Sequence, residues 1–230
     1  MIDPTNGETL VGGVGLTHLR VYEERPAPDG HMSGCAHVHG LTDEGYLVLE
    51  GTGSLELHDV DMGFRSIPLA RGKYVQFTRG TIHRTVSSGA LEILVVIGNS
   101  GLAERGDARI YFGRAVDECS TEYDRLNALA ADRSLKGALA RRDASVAAYS
   151  VLVALWEKDR SAYFTEVERF VSVHRRALTE SGTGLEYIVG DEVLASGDVP
   201  AKSFTSDLKK SGLVYGMCGI LHQIQGLEAV

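Results

Sequence analysis

The chain has 230 residues, a formal net charge of −8 and 43% hydrophobic residues, which suits one large or two small domains. The acidic balance argues against a nucleic-acid-binding protein, which needs a basic surface to neutralise phosphates. No apolar run approaches the roughly 20 residues of a membrane span. Three widely spaced cysteines and the lack of a visible secretory leader predict a cytoplasmic protein.

The first half of the chain predicts many short strands separated by glycine-containing turns. A polar arm is expected at residues 1–12, and a turn is expected at Gly51–Gly53. The predicted strands are Leu16–Glu24, Ser33–His39, Gly45–Leu49, Ser54–Asp59, Phe64–Leu69, Tyr74–Phe77, Thr81–Val86, Ala90–Ile97 and Ala108–Phe112. So many short strands at close intervals indicate an antiparallel barrel or a sandwich.

The second half changes to a composition that favours helices. Helices are predicted at Glu122–Ala131, Leu135–Trp156 and Ala162–Leu178. Apolar residues at helical spacing predict packing faces on the two longer helices, namely Val146, Tyr149, Val153, Trp156, Phe164, Val167, Phe170, Val171 and His174. Residues 184–200 show no clear pattern, and Asp207–Leu227 is predicted as a last helix despite three glycines. The expected division is a β domain at 1–115 and a mainly helical domain at 116–230.

A possible metal site lies in the strand region. His37 and His39 are two residues apart, so on a strand both side chains project from one face. Glu44 follows after a gap long enough for a turn, and His83 adds a donor from a later strand. Three imidazoles and one carboxylate suit a divalent first-row transition metal. The alternative is that these are ordinary histidines of the core or the surface.

The spacing resembles the two motifs of the cupin superfamily over roughly residues 10 to 115. The first motif is matched by His37, His39, Glu44 and Gly51, and the second by Gly72, Gly80 and His83. Thr78 and Ser87 replace the usual proline and asparagine, and neither is a metal ligand in the family's pattern. The resemblance implies an α+β protein with an antiparallel jelly-roll barrel followed by a helical C-terminal region. It also implies that His37, His39, Glu44 and His83 bind Fe(II), Mn(II), Ni(II) or Zn(II).

Strand parity supplies further candidates around this site. Tyr46 follows Glu44 by two residues and Thr85 follows His83 by two, so both are predicted as catalytic residues on the inner face. Cys35 has the same relation to His37, but we expect a buried and inert thiol there. The remaining histidines match no ligand spacing and are interpreted as structural or surface groups.

Several functions agree with this ligand set. With Fe(II), the favoured ion, we expect a dioxygenase acting on a small organic molecule. A redox-silent ion would instead polarise a carbonyl in an isomerase, cyclase or lyase. A third alternative is a non-catalytic cupin that binds a small ligand. The helical half is expected to cover a barrel mouth or to form a homodimer face.

Overall fold

We analysed a computed structural model, which describes residues 14–98, 106–181, 204–205, 214–223 and 228–229. The predicted arm at 1–12 and the unassigned segment at 184–200 lie outside these residues.

Eight strands come first, in the order β1 (Gly15–Val21), β2 (Met32–Ser33), β3 (His37–His39), β4 (Glu44–Asp59), β5 (Gly63–Ala70), β6 (Tyr74–Phe77), β7 (Ile82–Ile97) and β8 (Ala108–Ile110). The helices are α1 (Arg114–Asp117), α2 (Ser120–Asn127), a 3-10 turn (Ala128–Ala130), α3 (Leu135–Lys158) and α4 (Arg160–Ser181). Four short strands follow, β9 (Phe204–Thr205), β10 (Val214–Tyr215), β11 (Gly219–Gln223) and β12 (Glu228–Ala229).

Two long antiparallel strands, β4 and β7, organise the sheet. They pair with each other from Glu44↔Ile97 to His58↔Ile82. The other edge of β7 is shared, because β1 pairs with its second half while β2 and β3 pair with its first half. Strands β5 and β6 similarly divide the free edge of β4. The hydrogen-bonded ladder of the described residues does not close into a ring, but the antiparallel jelly-roll class followed by helices is confirmed.

The predicted turn at Gly51–Gly53 is wrong, because β4 continues through it. The pairing register between β4 and β7 shifts at this point, as it does at a β-bulge. Gly51 has φ +75°, and a Cβ built there would lie 2.1 Å from the carbonyl oxygen of Ala90. The glycines therefore let two long strands pass each other closely. The partner strand β7 is also continuous from Ile82 to Ile97, so the strands predicted at Thr81–Val86 and Ala90–Ile97 are one strand.

Each face of the sheet packs against a different apolar layer. The inner face buries Leu19, Val21, Tyr46, Val48, Leu55, Leu57, Leu69, Val75, Phe77, Leu91, Ile93 and Val95. The outer face carries Val38 of β3, the ligand strand, and the preceding Ala36, and both pack against α3 and α4. Because neighbouring strand residues point to opposite faces, His37 and His39 point inward. The two long helices thus cover the back of the ligand strand.

The predicted helical packing faces are confirmed. Val146, Tyr149, Val167 and Phe170 are fully buried, and Trp156 packs against the cluster that contains the last three. Helix α3 begins after Ser134, whose hydroxyl accepts the N–H of Gly137 at 3.0 Å. No described helix is both long and apolar enough to cross a bilayer.

His58 shows that one histidine outside the motifs is structural. Its ring lies between two tyrosines of the helical layer, with Nδ1 2.9 Å from the hydroxyl of Tyr163 and Nε2 2.6 Å from that of Tyr149. The residue has no exposed surface. His58 therefore joins β4 to both long helices.

The last predicted helix is wrong where the structure describes it. Residues 214–215 and 219–223 form β10 and β11, and β11 pairs antiparallel with β1. Gly219 makes this approach possible, because a Cβ there would lie 2.1 Å from the carbonyl oxygen of Arg20. The C-terminal part of the chain therefore adds strands to the main sheet. The division into domains at 115/116 stays a prediction.

Candidate metal centre

Three histidines and one glutamate converge inside the sheet. His37 and His39 lie on β3, Glu44 begins β4, and His83 lies on β7 directly opposite His37. One donor atom of each residue lies within 4.8 Å of the other three, and all four residues are buried. The structure therefore brings together the four residues that the sequence predicted as ligands, and they could hold a metal ion.

Each imidazole is oriented by an acceptor behind it. Nδ1 of His37 donates to the carbonyl of Cys35 at 3.2 Å, and Nδ1 of His83 donates to the carbonyl of Thr81 at 3.2 Å. Nδ1 of His39 lies 3.1 Å from the carboxylate of Asp107. Because these oxygens only accept, each Nδ1 carries the proton and each Nε2 keeps a lone pair. This is the arrangement that metal-binding histidines require.

Asp107 is a residue of the candidate site that the sequence analysis did not predict. It has no exposed surface, and its carboxylate accepts the N–H of Gly40 at 2.9 Å and of Leu41 at 2.5 Å. The same carboxylate accepts the hydroxyl of Thr42 at 2.6 Å. Burial pushes the pKa of Asp107 up, but the hydrogen bonds from His39 and Thr42 outweigh it and hold the pKa below its usual value. An ionised Asp107 therefore fixes both the ring of His39 and the loop that leads to Glu44.

Two buried atoms of the centre lack a hydrogen-bond partner among the described residues. Oε2 of Glu44 lies 3.1 Å from Nε2 of His83 and 3.7 Å from Nε2 of His39. In the described part of the chain, neither Oε2 of Glu44 nor Nε2 of His83 has a hydrogen-bond partner of acceptable geometry. Buried lone pairs at this separation repel each other unless a cation lies between them. The four residues therefore fit a divalent metal ion.

The protonation states agree with this fit. Burial, together with His83 and His39, lowers the pKa of His37 well below its usual value, so the ring stays neutral. His37 thus offers a neutral nitrogen donor at neutral pH, as a transition metal requires.

The two motifs also meet through the backbone. The turn before His83 forms without the usual proline, because Thr81 N–H donates to the carbonyl of Thr78 at 3.2 Å and Gly80 takes φ +82°. Gly80 N–H then donates to the carbonyl of His39 at 2.8 Å. The strand order, the motif spacing and the converging ligands thus agree with the arrangement that the cupin resemblance implies. This part of the chain has a cupin fold.

Comparison with known proteins adds structural neighbours of low similarity. No protein-family model and no curated protein matches the sequence. A cupin protein from Bacteroides fragilis matches 39% of this chain and 68% of its own, with 16% identity and a TM-score of 0.30. Fe(II)-HppE with an alternative substrate matches 36% of this chain and 42% of its own, with 16% identity and a TM-score of 0.29. A TDP-fucose-3,4-ketoisomerase from Campylobacter jejuni matches 35% of this chain and 58% of its own, with 13% identity and a TM-score of 0.30.

The residues predicted around the candidate metal centre differ in their surroundings. Tyr46 and Thr85 are fully buried, and neither hydroxyl has a hydrogen-bond partner in the described residues. The Tyr46 ring lies 6.2 Å from the ring of His83. The Cys35 thiol packs with Ile110 and Phe112, and its burial raises the pKa to about 11. Cys35 thus serves His37 only through its backbone carbonyl.

Proposed function

We propose that this cupin is a metal-dependent enzyme acting on a small organic molecule, and that with Fe(II) it is a dioxygenase. The observation that carries the proposal is the group of four buried donor atoms within 4.8 Å, with lone pairs on Glu44 and His83 that no described group satisfies. A barrel that only enclosed a ligand would gain nothing from burying these groups unpaired. Three nitrogens and one oxygen leave open positions on a six-coordinate ion, and Fe(II) there would supply redox chemistry with dioxygen.

The surroundings of the centre support a small and largely apolar substrate. The Phe77 ring lies 4.6 Å from the ring of His83, and Leu55 and Leu57 line the same interior. Such walls bind apolar surface and exclude water. The substrate would need one polar group to reach the ion and an apolar remainder for the walls.

A redox-neutral isomerase, cyclase or lyase is the second candidate, and Tyr46 is the observation that favours it. Burial, then the neighbouring Glu44 carboxylate and Cys218 thiol, raise the pKa of Tyr46 well above its usual value. The phenol keeps its proton at neutral pH beside the Glu44 carboxylate, and from there it could donate to a substrate. Thr85 is proposed as a second polar contact on the same inner face.

Metal analysis followed by spectroscopy tests the proposal. The protein is purified without chelator, loaded anaerobically with Fe(II), and exposed to nitric oxide, which binds open positions in place of dioxygen. We expect one ion per chain and the electron paramagnetic resonance signal of a high-spin iron–nitrosyl. His37→Ala should lose the ion, whereas the exposed His31→Ala, six residues earlier, should bind like wild type.

The outcomes separate the candidates. Bound iron with a nitrosyl signal and oxygen uptake with apolar test compounds supports the dioxygenase. Bound ion without oxygen uptake, but with conversion of a carbonyl compound, supports the redox-neutral enzyme. A folded protein that takes up no ion contradicts both and leaves the ligand-binding cupin. A homodimer stays a prediction, which light scattering checks.

A further inference from the structure

A C-terminal hairpin reaches the metal centre. Strands β10 and β11 pair at Val214↔Leu221 and Tyr215↔Ile220, and Gly216 N–H donates to the carbonyl of Gly219 at 2.8 Å to close the turn. This hairpin, residues 214–223, is fixed to the barrel at its tip. Cys35 N–H donates to the carbonyl of Met217 at 2.8 Å, and the hydroxyl of Tyr22 donates to the carbonyl of Gly216 at 2.8 Å.

The tip of the hairpin places one thiol against a metal ligand. Sγ of Cys218 lies 3.6 Å from Nε2 of His37, which is the ring atom that would face the ion. The side chain is partly buried and packs on the inner core. Gly34 allows the approach, because a Cβ there would lie 2.6 Å from Cα of Cys218. Hairpin and ligand strand are therefore fitted to each other at this point.

The separation suits two ligands of one ion. With a metal–nitrogen bond of about 2.1 Å and a metal–sulfur bond of about 2.3 Å, a 3.6 Å separation subtends about 110° at the metal. That angle lies in the range of neighbouring ligands in distorted five-coordinate sites. The sulfur is not among the four atoms that lie within 4.8 Å of one another, so it contacts the group at His37 and would move toward the ion on binding.

A second observation points to a cation beside this thiol. Glu44 and His83 are at most 5% exposed at their side chains, and Oε2 of Glu44 and Nε2 of His83 have no hydrogen-bond partner in the described residues. The Tyr46 hydroxyl, also buried, is likewise without one. Glu44 and His83 thus present unpaired groups at the same centre whose ligand His37 the Cys218 thiol contacts.

We propose that Cys218 is a fifth donor at this metal centre, delivered by the C-terminal hairpin. The inference rests on the proposed metal site and deepens it. On metal binding the sulfur–hydrogen bond breaks, the proton goes to solvent, and the sulfur lone pair forms the bond to the ion; no electron is transferred. Thiolate donors favour Fe(II), Co(II) and Zn(II) over Mn(II) and Mg(II), so the hairpin selects the ion.

Cobalt substitution tests the fifth donor, because a thiolate bound to Co(II) gives an intense charge-transfer band in the near ultraviolet. The metal-free chain is titrated with Co(II) and compared with Cys218→Ser and Cys119→Ser; Cys119 is exposed and serves as the matched control. We expect one Co(II) per chain and the band in wild type and in Cys119→Ser. We expect Cys218→Ser to bind Co(II) without the band.

A labelling measurement on the wild-type chain tests the same proposal without requiring that Cys218→Ser folds. Co(II) or Zn(II) should protect Cys218 from alkylation, read by mass spectrometry of each cysteine peptide, while Cys119 reacts equally with and without metal. Stoichiometric Co(II) without the band and without protection overturns the role of Cys218 but leaves the four-residue centre. A chain that binds no Co(II) overturns both the fifth donor and the proposed function.

Discussion

Replacing Asp107 by asparagine removes the acceptor behind His39 while keeping the shape of the side chain. The amide oxygen can still accept the N–H groups of Gly40 and Leu41, and the Thr42 hydroxyl can rotate to accept from the new amide. The His39 ring cannot adapt in this way, because its Nδ1–H now faces an N–H donor. The ring must turn or change tautomer, and either change weakens its Nε2 as a ligand.

The size of the loss follows from these contacts. Losing an outer-sphere acceptor lowers metal affinity about 10- to 100-fold, which is about 1.4 to 2.7 kcal/mol of binding free energy. Losing one hydrogen bond to a charged group also lowers the free energy of unfolding by about 1.5 to 3 kcal/mol. Both losses come from the same contact, which joins His39 to Asp107 at 3.1 Å.

Competition titration against a metal indicator measures the affinity, and urea unfolding of the metal-free chain measures the stability. Asp61→Asn serves as the matched control, because Asp61 is exposed on a turn. If Asp107→Asn binds the ion within twofold of wild type, the carboxylate does not orient His39 and the reasoning fails.

Three further predictions address stability. Burial lowers the pKa of His58 to about 3, so below pH 6.5 the unfolded chain takes up a proton that the folded chain refuses. Stability should therefore fall with decreasing pH by up to about 1.4 kcal/mol per pH unit from this group, and urea unfolding at several pH values should show a shallower slope for His58→Gln. Tyr46→Phe should leave the melting temperature unchanged or slightly raised, because its hydroxyl has no hydrogen-bond partner among the described residues; a large decrease would reveal a partner. Gly219→Ala should speed amide exchange along β1, because the new Cβ meets the carbonyl of Arg20, whereas Gly89→Ala has room and should exchange like wild type.

The sequence predicted the metal centre because its residues follow local rules. His37 and His39 share a face through the two-residue period of a strand, and His83 is marked by the glycines before it. The packing faces of α3 and α4 were equally readable, since helical spacing places Tyr149 and Phe170 on buried stripes.

The errors come from contacts between distant parts of the chain. Gly51 and Gly219 looked like turn or helix-weakening residues, but each lies where a second backbone approaches, which a single sequence does not reveal. Asp107 and Cys218 belong to no local pattern around the ligands. They reach the centre through the pairing of β8 with β3 and of β11 with β1.

The ligand strand, β3, also packs against the two long helices. β3 is three residues long, with His37 and His39 on one side and Val38 against the helices on the other. Just beyond it, Gly40 has no room for a Cβ, which would lie 2.3 Å from Leu178 of α4, and His174 of that helix donates to the carbonyl of Asp107 at 2.5 Å. Removing the ion with a chelator should therefore weaken the packing of α4 on the barrel. A protease should then cut that helix sooner in the metal-free protein than in the metal-loaded protein.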